Sequence, residues 1–344
     1  NKISEKSAKT YGKNLAYFLD YLKNRREFRD DKLDDSFLYV QQYVIEEYFS
    51  HLKSEGISSK TIGNREASIS AFFHKYLCST RNNKDQLRDD NPFESGKLYN
   101  GTKTRNIEMC EVKELIALMK CTNRENEKVL IQFMQDSGIR RSEACRITQQ
   151  DIKDAMNENK QFYMLDDDTF EIPPDYKPLR IWGSKGRGRE LKLRTTLVSI
   201  PTLQRIKKYM ASPEYRVAAR KFGKDKPVFL NSQGGVQTGS NIGKLFNRLS
   251  KRALKLKFIS RPIAAQMTRH GFAGMCLRSP DMGKDSVERL VNIKNCLGHA
   301  FLETTQVYTS LPYEIYGRLV NKHGEVLTRS QIMERVRLKT KSKS

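Results

Sequence analysis

The stretch VLIQFMQDSGIRRSE, residues 129–143, joins a helical pattern of apolar residues to a turn that carries two arginines. The apolar residues recur at the spacing of one helix face: Val129, Leu130, Phe133 and Met134. Gly138 is the residue type that most often follows a helix C-terminus. The stretch therefore predicts a helix that ends at Asp136–Gly138, directly before Arg140.

Working outward from this stretch, helical spacing also covers the first eighty residues, and Ser58 or Ser59 is a candidate N-cap there. Between residues 161 and 201 the pattern changes to short alternating or aromatic-rich segments, separated by Asp, Pro and Gly, which predicts a small antiparallel sheet with Trp182 as a buried anchor. Residues 82–106 are polar and lack an apolar period, which predicts a linker.

The composition favours a nucleic-acid partner. The chain has 344 residues and a formal net charge of +23, and basic side chains that neutralise phosphates gain free energy from counterion release. No apolar run approaches the roughly 18 residues of a membrane-spanning helix, and no signal peptide is recognised, so we expect no membrane partner. The six cysteines are scattered without a C-x-x-C pair, which predicts neither zinc nor disulfides and favours a reducing cytoplasm.

Three further stretches carry groups that can act on a phosphodiester. They are GSKGRGR at 183–189, QMTRHGFA at 266–273, and LGHA at 297–300, which Tyr308 follows nine residues after His299. A guanidinium offers a planar fork of donors to phosphate oxygens and stays ionised, so Arg140 and Arg269 can stabilise the charge of the transition state without a metal. Taken singly, an arginine is more often a surface or ion-pair residue, and a tyrosine in a helical stretch more often belongs to the core.

The order and wording of these four boxes resemble the tyrosine recombinase family, which includes phage integrases and Xer-like enzymes. The matches are G-[LI]-R-x-S-E, G-x-K-G, R-H-x-F-A and L-G-H-x(4)-T-T-x-x-Y. The resemblance implies catalytic roles for Arg140, Lys185, Gln266, Arg269, His299 and Tyr308. In those roles Tyr308 is the nucleophile that forms a 3′-phosphotyrosyl bond, Lys185 is the general acid, and His299 bonds the scissile phosphate.

Two positions need separate comment. Gln266 occupies the place where the family usually has His, three residues before the second arginine; a carboxamide can donate a hydrogen bond to phosphate but cannot shuttle a proton at neutral pH. Glu143 lies one helical turn after Arg140 and is predicted to orient the site; the alternative is a plain salt-bridge partner. His270 is expected to face elsewhere, since consecutive helical residues point about 100° apart.

The resemblance also implies the organisation of the chain: mainly α with a small antiparallel β-sheet in the catalytic domain, in a two-domain C-shaped clamp on double-stranded DNA. The predicted parts are a helical, SAM-like core-binding domain at 1–81, the linker at 82–106, the catalytic domain at 107–330 and a basic C-terminal tail at 331–344. Basic residues predicted to contact DNA are Lys60, Arg65, Lys103, Arg105, Arg187 and Arg189.

The implied function is a site-specific recombinase that works as a homo-tetramer on two DNA sites, passes through a Holliday junction, and integrates, excises or transposes a mobile element. The alternatives are a topoisomerase- or telomere-resolvase-like strand transferase, or an inactive DNA-binding accessory protein. No cofactor, metal or nucleotide is expected, because the 183–189 stretch lacks the spacing of a nucleotide-binding P-loop and Asp166–Asp168 cannot all face one ion. The apolar pattern after Tyr308 fits docking on a neighbouring protomer or packing on its own domain.

Overall fold

Helices form the first of two units into which the chain divides, Asn1–Arg105 and Asn106–Ser344. The computed structural model describes residues 5–30, 35–80, 85–101, 107–159, 162–165, 168–183, 193–298, 305, 319–321 and 323–341. In the first unit the helices are α1 (Glu5–Lys23), α2 (Ser36–Tyr39), α3 (Gln42–Ser54) and α4 (Ser59–Phe72), followed by a π-helical turn at Phe73–Leu77.

Aromatic side chains fill the core of the first unit. The ring centroids of Phe18 and Tyr48 are 5.0 Å apart, and Phe73 packs 5.8 Å from Phe93. The Oγ of Ser58 accepts a hydrogen bond from the backbone N–H of Thr61, which confirms Ser58 as the N-cap of α4. The helices thus pack through the apolar stripes that the sequence predicts.

The predicted linker differs from the structure over residues 85–101, which pack on the helices of the first unit. Phe93 is buried in its core, and the buried guanidinium of Arg88 donates to the carbonyl of Phe37 at 3.0 Å. The buried Glu66 accepts the backbone N–H groups of Leu98 at 2.7 Å and Tyr99 at 2.8 Å. The sequence pattern did not indicate this packing, because the segment is polar and has no apolar period. Its backbone donors at Leu98 and Tyr99 are satisfied by the Glu66 side chain of α4 instead of by regular secondary structure.

The second unit is also mainly helical, as predicted. Its helices are α5 (Val112–Lys120), α6 (Glu125–Ser137), α7 (Arg141–Ala144), α8 (Gln149–Asn157), α9 (Ile200–Ala211), α10 (Pro213–Ala219), α11 (Gly239–Lys255), α12 (Ala265–Arg278), α13 (Ser286–Leu297) and α14 (Arg329–Lys339). No helix in the described part of the chain is long and apolar enough to cross a membrane.

The antiparallel strands form two separate hairpin pairs. Strand β1 (Phe162–Leu165) pairs with β2 (Asp168–Glu171), and β3 (Tyr176–Trp182) pairs with β4 (Leu193–Ser199). The segments predicted as strands, residues 161–165, 179–182 and 190–193, include no part of β2 and only Leu193 of β4. The prediction for Trp182 is wrong: it is 55% exposed, whereas the preceding Ile181 is buried, because neighbouring strand residues point to opposite faces.

The predicted basic tail from residue 331 is a helix as far as Lys339. In α14 the side chains of Ile332, Met333 and Val336 are buried in the core of the second unit. The amide of Gln132, on α6, donates to the carbonyl of Met333 at 3.2 Å. The described part of the C-terminal segment therefore packs on its own unit, with its basic residues mainly on the outer face.

Candidate active site

Gly138 forms the turn that connects α6 to Arg140. It follows the last residue of α6 with φ +60°, a conformation that L side chains rarely adopt. A Cβ at this position would lie 2.5 Å from Cδ1 of Phe272 and 2.8 Å from Cδ2 of Leu297. The predicted helix end is therefore confirmed, and both the backbone conformation and the close packing require glycine.

Arg269 connects three of the four boxes. Its side chain on α12 is buried; Nη1 donates to the carbonyl of Gly138 at 2.6 Å, and Nη2 donates to the carbonyl of Leu297 at 2.7 Å. These carbonyls lie at the C-terminal ends of α6 and α13, where the helix dipoles place partial negative charge. The two helix ends thus stabilise a buried guanidinium beside the turn that leads to Arg140.

Glu143 orients Arg140 through two contacts. Its Oε2 accepts the backbone N–H of Arg140 at 2.8 Å, and its Oε1 accepts Nη1 of the Arg140 side chain at 2.9 Å. The carboxylate is fully buried, whereas the Arg140 side chain is 27% exposed. The exposed part of the Arg140 side chain can therefore contact a ligand, while Glu143 holds its backbone N–H and its Nη1 in place.

Arg194, on β4, is a part of the site that sequence reasoning missed. Its Nη2 donates to Oε2 of Glu143 at 2.7 Å, and its Nη1 donates to the carbonyl of Cys296, near the end of α13. Burial alone raises the pKa of Glu143, but the charge and hydrogen bond of Arg194, and then those of Arg140, lower that pKa to about 2. Glu143 is thus ionised between two arginines at neutral pH.

No local pattern marks Arg194 in the sequence. It is one of several basic residues near the 183–189 stretch, and its partners lie 51 and 102 residues away along the chain. A side chain that bonds a backbone carbonyl leaves no spacing signature, so only the folded structure distinguishes Arg194 from its neighbours.

Two positions on α12 flank Arg269 differently. Gln266 is exposed, one helical turn before Arg269. His270 is half-buried, and burial and then the positive charge of Arg269 lower its pKa. His270 is therefore neutral at pH 7.

A buried ion pair fixes the last turn of α6 next to the site. Nη1 of Arg329 and Oδ1 of Asp136 are 2.5 Å apart, and both side chains are fully buried. Oδ2 of Asp136 accepts two hydrogen bonds from Ser199, one from its backbone N–H at 2.9 Å and one from its side-chain Oγ–H at 2.6 Å. The Arg329 guanidinium lies 5.0 Å from the ring centroid of Phe272. Sequence reasoning missed this pair as well.

Several predicted site residues lie outside the described residues: Lys103, Arg105, Lys185, Arg187, Arg189, His299 and Tyr308. The strands on either side of the 183–189 stretch pair Trp182 with Leu193. Of the DNA-contact candidates in the first unit, Lys60 is exposed near the start of α4. Arg65 donates to the hydroxyl of Tyr48 at 3.0 Å and lies over the ring of Tyr17.

Comparisons with known proteins show which proteins the chain is similar to. A sequence profile of the phage integrase family matches residues 105–314, more than half of the chain. The tyrosine recombinase XerC of Pelotomaculum thermopropionicum is 24% identical over 326 residues, which cover 93% of this chain and 92% of that protein. The tyrosine recombinase XerD of Halalkalibacterium halodurans is 22% identical over 312 residues, which cover 89% of this chain and 87% of that protein.

Solved structures share the fold. The XerH site-specific recombinase, in a post-cleavage complex with palindromic difH substrate, aligns with a TM-score of 0.60 and 18% identity over 89% of this chain and 76% of that chain. The Tn1549 transposon integrase, in complex with circular intermediate DNA, aligns with a TM-score of 0.60 and 18% identity over 92% of this chain and 93% of that chain.

Proposed function

The chain belongs to the phage integrase family and is a tyrosine-type site-specific recombinase, and from this premise we propose that it cleaves and rejoins DNA through a 3′-phosphotyrosyl bond at Tyr308. The family profile confirms the resemblance predicted from the four boxes. The observation that carries the proposal is the position of Arg269, whose guanidinium bonds the carbonyls of Gly138 and Leu297 and so brings three separated boxes together.

In the proposed reaction Arg140 and Arg269 donate to the non-bridging oxygens of the scissile phosphate. The Tyr308 oxygen forms a bond to phosphorus, the bond from phosphorus to the 5′-oxygen breaks, and Lys185 gives that oxygen its proton. His299 donates to the phosphate. Because the phosphotyrosyl ester retains the energy of the phosphodiester, a 5′-hydroxyl from another strand can reseal the backbone without a nucleotide.

Gln266 affects how the phenolic proton of Tyr308 can be removed in this reaction. A carboxamide next to the phosphate donates a hydrogen bond but accepts no proton at neutral pH. The neutral His270 on the same helix is half-buried. We infer that the phenolic proton of Tyr308 passes to solvent water as the bond to phosphorus forms, without help from position 266.

Double-stranded DNA is the proposed partner. The net charge of +23 supports a polyanionic partner, and the similar XerH and Tn1549 proteins were solved as DNA complexes. We propose that both units contact the duplex and that four copies act on two sites through a Holliday junction. We further propose that the element served is mobile, and the transposon integrase among the similar structures supports this assignment.

The test is trapping of the covalent intermediate. Nicked suicide duplexes taken from the DNA that flanks the protein's own gene are incubated with wild-type protein, and adducts are separated on denaturing gels. We expect Tyr308→Phe to abolish the adduct, because the nucleophilic oxygen is gone, while the matched control Tyr313→Phe retains it.

Wild-type protein that forms no adduct on any such duplex would overturn the proposal. Where adducts form, the products on intact DNA identify the reaction. Joined strands from two sites indicate recombination, relaxed circles indicate a topoisomerase, and hairpin ends indicate a telomere resolvase.

A further inference from the structure

Arg194 lies on the strand that follows one of the four boxes, and its side chain contacts elements that carry two of the others. It belongs to β4, the strand that follows the 183–189 stretch containing Lys185, and lies opposite Ile181 in the β3–β4 pair. One guanidinium nitrogen bonds Glu143 of the arginine box, and the other bonds the carbonyl of Cys296, three residues before His299. The side chain of Arg194 is only 7% exposed, and both of its terminal nitrogens bond acceptors within the protein.

The fit around Arg194 is tight. Gly298 has φ +64°, and a Cβ at that position would lie 2.5 Å from Cδ of Arg194. Gly298 therefore makes room for the aliphatic part of the Arg194 side chain as it passes the end of α13. Lysine has a single nitrogen at its tip, so it cannot donate to Glu143 and to Cys296 in the same forked geometry.

From these contacts we propose that Arg194 is a positioning residue for strand cleavage, which sets the arginine box, the strand after Lys185 and the end of α13 in register. It acts through Glu143 on Arg140 and makes no contact with DNA. This proposal rests on the proposed function, because its effect is measured as the rate of phosphotyrosyl formation.

The first experiment measures single-turnover cleavage of nicked suicide duplexes at saturating protein. Displacement of catalytic groups by about 1 Å can slow a reaction by about a hundredfold, so we expect Arg194→Met to slow cleavage by roughly tenfold to a hundredfold. The Kd for DNA should change by no more than about twofold, since uniform binding is untouched. Arg194→Lys should recover part of the rate.

The matched control is Arg180→Met, which removes an exposed positive charge from β3. Arg180 lies opposite Thr195, the residue after Arg194, so the same sheet loses the same charge. We expect wild-type cleavage from this variant.

A double-mutant cycle shows whether Arg194 acts through Glu143. If it does, Arg194→Met combined with Glu143→Gln slows cleavage no more than the slower single variant, because both act on Arg140. Additive losses of rate would overturn the proposal. The double variant removes both charges of the buried pair. Thermal unfolding is measured to test whether this variant is folded.

The outcomes separate this proposal from the proposed function. If wild type forms adducts and folded Arg194→Met forms them at the same rate, the positioning role is overturned and the proposed function is not. The absence of wild-type adducts overturns the proposed function and the positioning role with it. If Arg194→Met does not fold, folded Arg194→Lys decides: a wild-type rate overturns the role, and a rate reduced about threefold or more, which corresponds to a loss of about 0.7 kcal/mol, supports it.

Discussion

Two buried arginines of the second unit hold the last turn of α6 in different ways. Arg329 forms an ion pair with the carboxylate of Asp136, and its charge is neutralised within the protein. Arg269 donates to the carbonyls of Gly138 and Leu297 at two helix ends, which stabilise the guanidinium through partial charges. The comparison teaches that two buried guanidiniums can be held in different ways, by a carboxylate at Arg329 and by backbone carbonyls of two helix ends at Arg269.

The largest expected effect is on stability at Arg329. Arg329→Met leaves the carboxylate of Asp136 buried without its counterion, and breaking such a pair typically costs about 3–5 kcal/mol. Urea unfolding followed by circular dichroism gives the free energy of unfolding. Adding Asp136→Asn should recover a large part of the loss, since the unpaired charge is then removed. A loss below about 1 kcal/mol in the single variant would show that the pair does not fix α6.

Arg269→Lys should break the comparison in the opposite sense. Lysine lacks the fork that bonds the two carbonyls and that, in the proposed reaction, also donates to the phosphate; loss of one such donor typically slows catalysis by about a hundredfold to a thousandfold. Single-turnover cleavage measures this rate, with Arg278→Lys on the same helix as the control. If Arg269→Lys instead unfolds as readily as Arg329→Met while cleaving normally, the two arginines have the same structural role.

The smallest expected effect is a pH dependence of stability at Glu143. The pKa of this carboxyl is lowered to about 2 in the folded protein from an ordinary value of 4.5. Its contribution to stability is therefore complete above pH 4.5 and is lost as the pH falls toward 2. Between pH 7 and pH 3.5 the free-energy advantage of wild type over Glu143→Gln should shrink by about 1 kcal/mol. A difference that stays constant over this range would contradict the lowered pKa.

Part of the local geometry around Arg140 could be predicted from sequence because the first box has local spacing. The helix end at Gly138 follows from residue type and apolar period. Arg140 directly precedes α7 and Glu143 lies three residues later in its first turn, a separation that brings the two residues together, and the 2.9 Å contact confirms that they are close. The roles of Lys185, His299 and Tyr308 stay predictions, since these residues lie outside the described part of the chain.

What sequence did not reveal are long-range contacts of single polar side chains. Arg194 and Arg329 look like ordinary basic residues, yet both are buried by partners far away in the chain. Trp182 shows the reverse error, because a hydrophobic residue at a strand end can face solvent. Burial of a charge depends on a matching acceptor in three dimensions, which composition does not encode.

The contact between Glu66 and the backbone of Leu98 and Tyr99 decides where the chain can be cut. Truncation at residue 81 would strip this buried carboxylate of both amide donors and remove Phe93 from the aromatic core. An isolated N-terminal fragment prepared for spectroscopy should therefore extend to Gly101. Limited proteolysis between 85 and 101 would release a destabilised piece rather than an independent module.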